Sequence, residues 1–418
     1  MTGGLQTNGK VVIIGGGPAG TACALALQRK AAALGRPLKI TVVEGKQFQN
    51  EQHYNQCAGV LSPPLPELLE QELGVPFPYH LSRGEITDYV LHAGGGTILL
   101  RGEGEPSTAL RRVQFDAYML EQTRQRGIEV LPARAMEIEF HADGVLIYTE
   151  NRSLRADVVV GAFGLDEGTA ALFQRRSNYR PPRALHSIVT KYHPGEAAMA
   201  AFGNRIHAFL PHHPHIEFGA VTPKGNHLTI NIAGANVDSD LMAYFLQRPD
   251  VRAVLPPAPP DQNEQWHFFR GRFPYTQAGH FYGDRYVMIG DAAGLVRTFK
   301  GKGVTSAVLT GIRAAETILQ HGISRQAFHA HYRAANQDIL RDMPYGHLIR
   351  FFTIYMGKPW LWKVILQAAE KNEALQRALY NAVSAHAPYR EVLRHTLKPA
   401  VMLALAQQFI QRERGLHR

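Results

Sequence analysis

A chain of 418 residues is too long for one small core, so we expect one large domain or two interleaved ones. Apolar residues make up 45% and charged residues 19%, an ordinary balance for a globular protein, and no apolar run reaches the ~18 residues of a membrane-spanning helix. The net charge of +10 favours anionic partners, but the sequence has no long basic run and no zinc-finger or RNA-binding signature, which argues against nucleic acid. Cys23 and Cys57 are too few for a disulfide framework, and the first ten residues lack the apolar run of a secretory signal, so we expect a cytoplasmic protein.

The first predicted elements form a β-α-β unit. Residues 11–14 are a continuous apolar run, which is typical of a buried parallel strand. Residues 18–33 follow as a helix rich in Ala and Leu, and residues 40–43 are a second buried strand that ends at Glu44. This order of elements predicts the start of a Rossmann-type nucleotide-binding domain.

The loop between the first strand and the helix has the G-x-G-x-x-G spacing of a dinucleotide-binding turn. Gly15 permits the tight turn, Gly17 lets the backbone approach a pyrophosphate, and Gly20 lets the helix pack closely on the strand. The helix N-terminus offers N–H groups to the phosphates, and Glu44 can bind ribose hydroxyls. The predicted contacts to the ADP half of a dinucleotide are Gly15, Gly17, Pro18, Ala19, Gly20 and Glu44.

Beyond this β-α-β unit, the hydrophobic pattern predicts helices and strands in most stretches but gives no assignment in one. Residues 53–105 are rich in Pro and Gly, and we assign no elements there. Residues 181–236 alternate with period two, which predicts an antiparallel sheet that interrupts the nucleotide domain and supplies a substrate wall. The other predicted elements are a helix over residues 115–126, strands over residues 128–131, 145–149, 157–160 and 285–289, a helix over residues 303–319 and a mostly helical tail over residues 332–418.

A second motif follows the predicted strand at residues 285–289. Asp291 lies just beyond the carboxyl end of this strand, and its carboxylate can accept hydrogen bonds from polyol hydroxyls there. The glycines that follow let N–H groups of a new helix face an electron-rich ring, which a reduced flavin requires. An ammonium from Lys300 or Lys302 could stabilise the anionic reduced flavin, although a solvated loop lysine is the alternative. The predicted contacts at this end are Gly290, Asp291, Gly301, Lys302, Gly303 and Val304.

The two motifs together resemble those of the FAD-dependent oxidoreductases of the p-hydroxybenzoate hydroxylase superfamily, and within it the geranylgeranyl reductase family. The resemblance covers most of residues 10–320. It implies FAD as the cofactor, with Asp291 on the ribityl chain. Arg112, in the stretch Arg-Val-Gln-Phe-Asp, is implied to help bind FAD, and residues 56–62 look like the family's Cys-Gly-Gly stretch beside the flavin.

Two departures from the family pattern bear on the electron donor and the substrate. Phe163 stands where the superfamily usually has an Asp that is tied to handling the pyridine nucleotide, so the donor is either NADPH or a redox protein. Residues 218–225 are similar to an aromatic segment of the archaeal reductases, but Ala220 occupies the Trp-like position. The loss of a bulky ring there implies a wider or differently shaped substrate cavity.

The candidate catalytic residues are Cys57, Tyr54 and Lys300. Cys57 could protonate a substrate carbon, or it could line the pocket as a small apolar side chain. Tyr54 or water could deliver the proton instead. Lys300 is the candidate for stabilising the reduced flavin.

Histidines near Pro211 and Pro214 could suggest a metal, but no structural-zinc spacing is present and acidic partners are few. We therefore interpret this segment as a solvated loop and expect no metal site. The histidines in question are His207, His212, His213 and His215.

The tail carries aromatic residues mixed with lysine at residues 351–356 and 360–363. Such mixtures can lie at a bilayer interface, so peripheral membrane contact is a hypothesis. The apolar spacing of Leu393, Leu397, Val401 and Leu405 favours a helix core, although Pro399 could kink that helix.

We predict an α/β flavoprotein with a Rossmann-type FAD-binding domain interleaved with an antiparallel-sheet substrate domain, plus a helical C-terminal tail. The leading function is reduction of carbon–carbon double bonds in a prenyl or other bulky lipid-like substrate. One alternative is a flavin-dependent monooxygenase or halogenase-like enzyme, and a second is a flavin-binding electron-transfer or accessory subunit. The predicted boundaries are 1–75, 106–180 and 276–330 for the FAD-binding domain, 76–105 and 181–275 for the substrate domain, and 331–418 for the tail.

Overall fold

The computed structural model describes residues 4–46, 57–102, 104–257, 266–297, 303–384 and 387–416. In these ranges the strands are β1 (Lys10–Ile14), β2 (Lys39–Val43), β3 (Val60–Leu61), β4 (Ser82–Ile86), β5 (Asp88–Ala93), β6 (Gly96–Leu100), β7 (Ser107–Leu110), β8 (Glu129–Leu131), β9 (Ala135–His141), β10 (Gly144–Thr149), β11 (Ser153–Ala156), β12 (Val158–Gly161), β13 (Ala184–Tyr192), β14 (Arg205–Leu210), β15 (Phe218–Lys224), β16 (His227–Gly234), β17 (Phe269–Pro274), β18 (Tyr282–Gly283) and β19 (Tyr286–Met288). The α-helices are α1 (Pro18–Ala33), α2 (Leu65–Glu67), α3 (Arg112–Gln125), α4 (Glu167–Arg176), α5 (Glu196–Phe202), α6 (Ser239–Gln247), α7 (Pro249–Arg252), α8 (Gly303–Gln320), α9 (Arg325–Ala327), α10 (Arg333–Ala335), α11 (Gln337–Phe351), α12 (Pro359–Glu370), α13 (Glu373–Ser384), α14 (Tyr389–Thr396) and α15 (Pro399–Leu416).

A six-stranded sheet with the order β18-β19-β12-β1-β2-β8 forms the nucleotide-binding part. Strand β1 pairs in parallel with β2 on one side and β12 on the other, and all these pairs are parallel except β18 with β19. The central strands β1, β2 and β12 are mostly apolar because both faces of the sheet are covered. The predicted fold class is confirmed.

Two predicted boundaries in this part were wrong. Helix α3 begins at Arg112 rather than at residue 115, because the side chains of Arg112 and Asp116 pair at 2.7 Å across the first turn. Apolar periodicity does not detect such a polar start. Strand β19 begins at Tyr286 because Arg285 has φ +62°, a left-handed conformation that does not continue a strand.

The substrate part is built on a seven-stranded sheet with the order β17-β13-β16-β15-β14-β5-β6. The antiparallel arrangement predicted for residues 181–236 is found for β13, β16, β15 and β14, and β14 also pairs in parallel with β5. Residues 53–105, to which we assigned no elements, contribute β5 and β6, which are joined by a turn with Gly94 and Gly95 at positive φ. Short strands interrupted by glycines do not show a clear alternation.

The two faces of the seven-stranded sheet have different surroundings. On one face, apolar side chains of β13, β15 and β16 such as Ile188, Val221 and Ile230 form a core with helix α6. On the other face, side chains of β5 and β14 such as Leu91 and Ile206 pack against the tail helices. We call this second face the site face, because its central strands carry polar rather than apolar residues.

The tail is helical, as predicted, but the predicted helix core around Pro399 was wrong in one respect. Proline lacks an N–H and begins α15, so the run is split into α14 and α15. Val401 is buried, whereas Leu397, between the helices, is 65% exposed. Within the described ranges, no helix is both long enough and apolar enough to cross a bilayer.

Helices α1 and α8 pack in close contact on the six-stranded sheet. A Cβ added to Gly311 would lie 2.6 Å from the Ala19 carbonyl oxygen and 3.0 Å from the Cys23 nitrogen, so only glycine fits between the helices. In contrast, a Cβ on Gly168 in α4 would meet just one atom of the described residues within 4 Å, Asp166 Oδ1 at 3.4 Å.

We expect Gly311→Ala to lower the free energy of unfolding by about 1–3 kcal/mol because it overpacks this contact. Gly168→Ala is the matched control and should stabilise the protein by up to ~1 kcal/mol, since alanine loses less backbone entropy in a helix. Chemical denaturation of both variants measures the difference. Equal stability of the two would contradict the close packing of α1 on α8.

Candidate functional site

The glycines of the first motif serve a tight turn between β1 and α1. Gly15 has φ +112°, and a Cβ there would lie 2.4 Å from the Ala162 carbonyl oxygen at the end of β12. A Cβ on Gly20 would lie 1.9 Å from the Gly15 carbonyl oxygen. These two glycines are required by the fold itself, because any side chain would separate α1 from the sheet.

Gly17 is different because its missing side chain leaves space rather than a contact. Gly17 is the N-cap of α1, and among the described residues no side chain caps this helix end and an added Cβ would meet no atom within 4 Å. The N–H groups of the first helical turn, which begin at Ala19 because Pro18 has none, therefore lie at an uncapped N-terminus. Such an end binds phosphate oxygens through its N–H groups and its dipole.

Glu44 holds the same loop from the end of β2. Its Oε2 accepts a hydrogen bond from the Gly16 N–H at 2.7 Å, and its Oε1 accepts one from the Lys46 N–H at 2.8 Å. A carboxylate has about four acceptor positions, so two remain for hydroxyl groups. The structure thus places Glu44 beside the glycine loop, where the sequence predicted it.

The second motif lies against the first. Gly290 follows β19 with φ +57°, its N–H donates to Thr310 Oγ1 at 2.9 Å, and a Cβ on it would lie 3.0 Å from the Cβ of Ala19. A Cβ on Gly303, the first residue of α8, would lie 3.9 Å from Asp291 Oδ1. The starts of α1 and α8 and the Asp291 carboxylate therefore meet at one edge of the sheet, and Val304 is buried in the first turn of α8.

Arg112 links the second motif to the Cys57 segment. Its Nε donates to Asp116 Oδ1 at 2.7 Å. Burial works against the charge of Arg112, but Asp116, Cys57 and Asp291 together outweigh burial and raise the pKa of the guanidinium. Burial also raises the pKa of Asp291 to about 6, although the Arg112 charge acts in the opposite direction. The thiol and the two carboxylates thus belong to one electrostatic cluster around Arg112.

Lys224, at the end of β15, is the functional candidate that the sequence analysis missed. Its side chain is only 4% exposed, and Nζ donates to the carbonyl oxygen of Cys57 at 3.3 Å. Burial lowers the pKa of Lys224 to about 8; the Cys57 thiol partly offsets this, whereas Lys191 and other cations add to it. The signal was present in the period-two pattern of residues 218–225, in which Lys224 shares a face with Ala220.

Four of the predicted site residues lie outside the described residues. They are Tyr54, Lys300, Gly301 and Lys302. Cys57, the remaining candidate for proton transfer, is exposed, and its backbone carbonyl oxygen accepts the hydrogen bond from Lys224.

Phe163, which stands at the usual Asp position, belongs to an aromatic cluster behind the six-stranded sheet. Its ring stacks on Phe173 with centroids 5.5 Å apart and meets the edge of Tyr179 at 6.1 Å. The side chain at this position therefore contributes to packing.

The interpretation of the histidine segment as a solvated loop was wrong for His207. This residue lies in β14, with Nδ1 3.0 Å from His92 Nε2, and burial is the main cause that lowers its pKa to about 4. His213 Nδ1 instead accepts hydrogen bonds from the N–H groups of His215 and Ile216. Among the residues that the structure describes, no group of three or more His, Cys, Asp or Glu side chains is arranged to hold a metal.

Comparison with known proteins agrees with this architecture. Residues 9–66 match the family model described as pyridine nucleotide-disulphide oxidoreductase. A protein of Methanosarcina barkeri (strain Fusaro / DSM 804), described as uncharacterised, is 24% identical over 366 residues, which cover 82% of this chain and 83% of that protein. Among solved structures, a geranylgeranyl bacteriochlorophyll reductase-like protein from Thermoplasma acidophilum has a TM-score of 0.72 at 15% identity and covers 97% of this chain and 100% of its own. A p-nitrophenol 4-monooxygenase from Pseudomonas putida has a TM-score of 0.67 at 18% identity, with coverage of 93% and 98%.

The chain therefore shares its fold with these proteins, and the resemblance predicted from the sequence is confirmed at the level of the fold. The neighbours include a reductase-like protein and a monooxygenase, so this fold is shared by proteins named for different reactions. The residues fit FAD: Gly17 leaves room at an uncapped helix end, Glu44 keeps acceptor positions, and Asp291 presents a carboxylate beside α8.

Gly17→Ala should weaken FAD binding by roughly tenfold or more, because the new methyl group fills the space that phosphate oxygens need. The φ of −73° is suitable for alanine and no atom obstructs the Cβ, so the stability of the FAD-free protein should stay within about 0.5 kcal/mol of the parent. Titration of the FAD-free protein with FAD, followed by flavin fluorescence, measures the affinity. Gly15→Ala is the contrasting variant and should impair folding itself.

Asp291→Asn should stabilise the FAD-free protein while it weakens FAD binding. Folding raises the pKa of this carboxyl from 3.8 to about 6, so the ionised carboxylate opposes folding above pH 6 and the penalty disappears below pH 3.8. The difference corresponds to roughly 3 kcal/mol, which solvent access to the half-buried side chain reduces to about 1 kcal/mol. Thermal unfolding of the FAD-free protein at pH 8 and at pH 4 should show the gain at pH 8 only; a gain that is equal at both values would contradict the raised pKa.

Proposed function

We propose that this protein is an FAD-dependent oxidoreductase that reduces a carbon–carbon double bond in a prenyl or other bulky lipid-like substrate. The observation that carries the proposal is the cluster in which the Cys57 thiol, the Arg112 guanidinium and the Asp291 carboxylate influence one another next to the sheet that carries Lys224. In this proposal Cys57 is the proton donor, Asp291 binds the flavin, and the sheet that carries Lys224 forms the substrate wall.

In this proposal Gly17, Glu44 and Asp291 would hold the FAD, which in its reduced form would supply a hydride for one carbon of the double bond. Cys57 Sγ supplies the proton to the neighbouring carbon, which completes the reduction. Lys224 positions the Cys57 segment through its hydrogen bond to the Cys57 carbonyl oxygen. Arg112 is a positioning residue, because it is ion-paired with Asp116 and its charge favours the anionic form of Asp291.

The small side chain of Ala220 favours a bulky substrate, because it leaves space in the proposed substrate wall. It lies on the site face between Ala208 on β14 and Asn231 on β16, so three small or medium side chains adjoin one another where an aromatic ring would otherwise protrude. The apolar side chains of β5 and β14 continue this surface toward the tail. The site face therefore offers an apolar strip beside polar strands.

Cys57→Ala should slow reoxidation of the reduced protein by a prenyl lipid by roughly 10²-fold or more, because the general acid is lost. The measurement is anaerobic reduction with dithionite followed by stopped-flow mixing with the lipid. Cys23→Ala is the matched control, since Cys23 is fully buried in α1 and should leave the rate unchanged.

Mixing the same reduced protein with O2 tests the monooxygenase alternative. Rapid reaction with O2 and none with prenyl lipids would overturn the reductase proposal. A protein that reacts with neither would instead be an electron-transfer or accessory flavoprotein.

We also propose that the tail contacts an anionic membrane surface, through which a lipid-like substrate would enter. Of the seventeen large hydrophobic side chains exposed in the described residues, twelve lie between residues 345 and 410. Residues 345–412 also contain nine Lys or Arg and only three Asp or Glu. Exposed apolar groups combined with excess positive charge are what an anionic lipid interface binds.

The exposed side chains form connected groups. Phe351 and Tyr355 have ring centroids 5.4 Å apart, and Trp360 contacts Phe409 at 6.1 Å with the Arg412 guanidinium 4.6 Å from its ring centre. Elsewhere in the same tail, Trp362 and Leu366 pack against the site face. The tail thus joins the proposed membrane surface to the substrate wall.

The protein should float with anionic liposomes at low salt and less with neutral ones. Replacement of Phe351 and Phe352 by Ser should reduce the bound fraction at least twofold, because two exposed rings are removed. Met136→Ser is the control, since Met136 is also exposed but lies on β9. Absence of retention on anionic liposomes at low salt would refute the membrane proposal.

A further inference from the structure

The site face carries an aligned set of buried polar side chains on two neighbouring strands, β15 and β16. We call it the polar row, and its members are Lys224, His227, Thr229 and Asn231. Lys224 pairs directly with His227, while Thr229 and Asn231 follow at every second position of β16 and so point to the same side. Lys224, His227 and Thr229 are 4%, 4% and 2% exposed.

Three atoms of the polar row are buried without a hydrogen-bond partner among the described residues: His227 Nε2, Thr229 Oγ1 and Asn231 Oδ1. A buried polar atom that lacks a partner costs roughly 1–3 kcal/mol. Three on one strand at alternate positions form a continuous polar surface. Thr229 Oγ1 can donate to a ligand oxygen, whereas Asn231 Oδ1 is an acceptor, and His227 Nε2 is an acceptor when the Nδ1–H donates to Asn226 Oδ1 at 3.0 Å. A ligand that carries both oxygens and hydroxyl groups would offset this cost.

Thr190 provides a contrast. Its Oγ1 is also buried without a partner in the described part of the chain, but Thr190 pairs with Ile230 and therefore lies on the opposite, apolar face. It is isolated there within the core shared with α6. The alignment of several such atoms is thus a property of the site face.

The charge around the polar row is positive. Burial lowers the pKa of Lys224 to about 8, and Lys191, Arg111 and Arg83 lower it further, so these cations add to a positive potential at its ammonium. In the described ranges Lys224 makes one hydrogen bond, to the Cys57 carbonyl, and no ion pair with a carboxylate. An ammonium has three donors, so two remain for a ligand.

The polar row is next to the proposed reaction centre. The Lys224 ammonium contacts the Cys57 backbone, and a Cβ on Gly59 would lie 2.8 Å from Nζ. A ligand group held by Lys224 and Thr229 would therefore adjoin the Cys57 segment, while the partly buried Ala220 and Ala208 give the other end of the site face an apolar surface. The site face thus suits a molecule that is polar at one end and apolar at the other.

We propose that the polar row is a binding subsite for an anionic oxygen group of the substrate, a carboxylate or a phosphate, with Lys224 and Thr229 as its main donors. This inference deepens the proposed function and rests on it, because it assigns an acidic head to the lipid-like substrate. His227 Nε2 and Asn231 Oδ1 accept hydrogen bonds from hydroxyl groups of the substrate next to that anionic group. The apolar part of the substrate lies beside Ala220 and Ala208, on the side of the site face toward the tail.

The test measures binding alone, with the FAD-loaded protein in its oxidised form. The probes share one apolar chain and differ in the head: dodecanoate, dodecyl phosphate, dodecanol and dodecyltrimethylammonium. Calorimetric titration below the micelle concentration should show that the two anions bind at least tenfold more tightly than dodecanol, because a charge-assisted hydrogen bond contributes this much. The tighter of dodecanoate and dodecyl phosphate identifies the head group.

Matched variants locate the subsite. Lys224→Met should remove the preference for anions, and Thr229→Val should weaken anion binding severalfold, whereas Thr190→Val should leave it unchanged. Both threonine variants keep the shape of the side chain and remove a buried unpartnered hydroxyl, so both should unfold at or above the parent temperature. If Lys224→Met does not fold, the comparison of anion binding between Thr229→Val and Thr190→Val still tests the location of the subsite.

Two outcomes overturn the inference: anions that bind no more tightly than dodecanol, or equal effects of Thr229→Val and Thr190→Val. Neither depends on turnover. If the protein then still binds FAD and is reoxidised by an uncharged prenyl lipid, the reductase proposal stands and only the proposed anionic head group of the substrate is refuted. Failure of FAD to bind at all would instead refute the proposed function.

Discussion

The close approach of α1 to the strands and helix around it is the constraint on which the rest of the structure depends. Gly20 lets α1 lie against the Gly15 carbonyl, and Gly311 lets α8 lie against the Ala19 carbonyl. Gly290 adjoins Ala19 from a third direction. Because no side chain separates these elements, two helix N-termini and the Asp291 carboxylate meet at the carboxyl edge of one sheet, which is where open α/β sheets bind ligands.

Arg112 connects this edge to the substrate part. Its position at the first turn of α3 is maintained by Asp116, one turn later, and its charge acts on Asp291 on one side and on Cys57 on the other. Cys57 in turn contacts the seven-stranded sheet through Lys224. A buried charge needs such partners to be tolerated, so folding of the interior also assembles the site.

The site face divides its surface between two kinds of chemistry. The strands β5 and β14 present apolar side chains to the tail, whereas β15 and β16 present Lys224, Thr229 and their neighbours. Strands with period-two alternation can bury one face in a core and reserve the other for function. One face of the seven-stranded sheet thus packs against the core with α6, and the other face lines the proposed substrate site.

The local elements could be read from the sequence because they depend on neighbouring residues. The turn at Gly15, the apolar strands and the uncapped start of α1 follow from spacing and from the conformational freedom of glycine, and the structure agrees with each. The start of α3 was not predicted correctly because the Arg112–Asp116 ion pair sets it. The apolar run around Pro399 is divided between two helices because proline lacks an N–H.

Only the tertiary structure could show which distant residues meet. Cys57 and Lys224 are far apart along the chain, and so are Arg112 and Asp291. The sequence contained Lys224 and Thr229 in an alternating pattern, but period two states only that they share a face and not whether that face adjoins a core or a site. Burial and missing partners are properties of the packed molecule, because both depend on which other segments cover the strand.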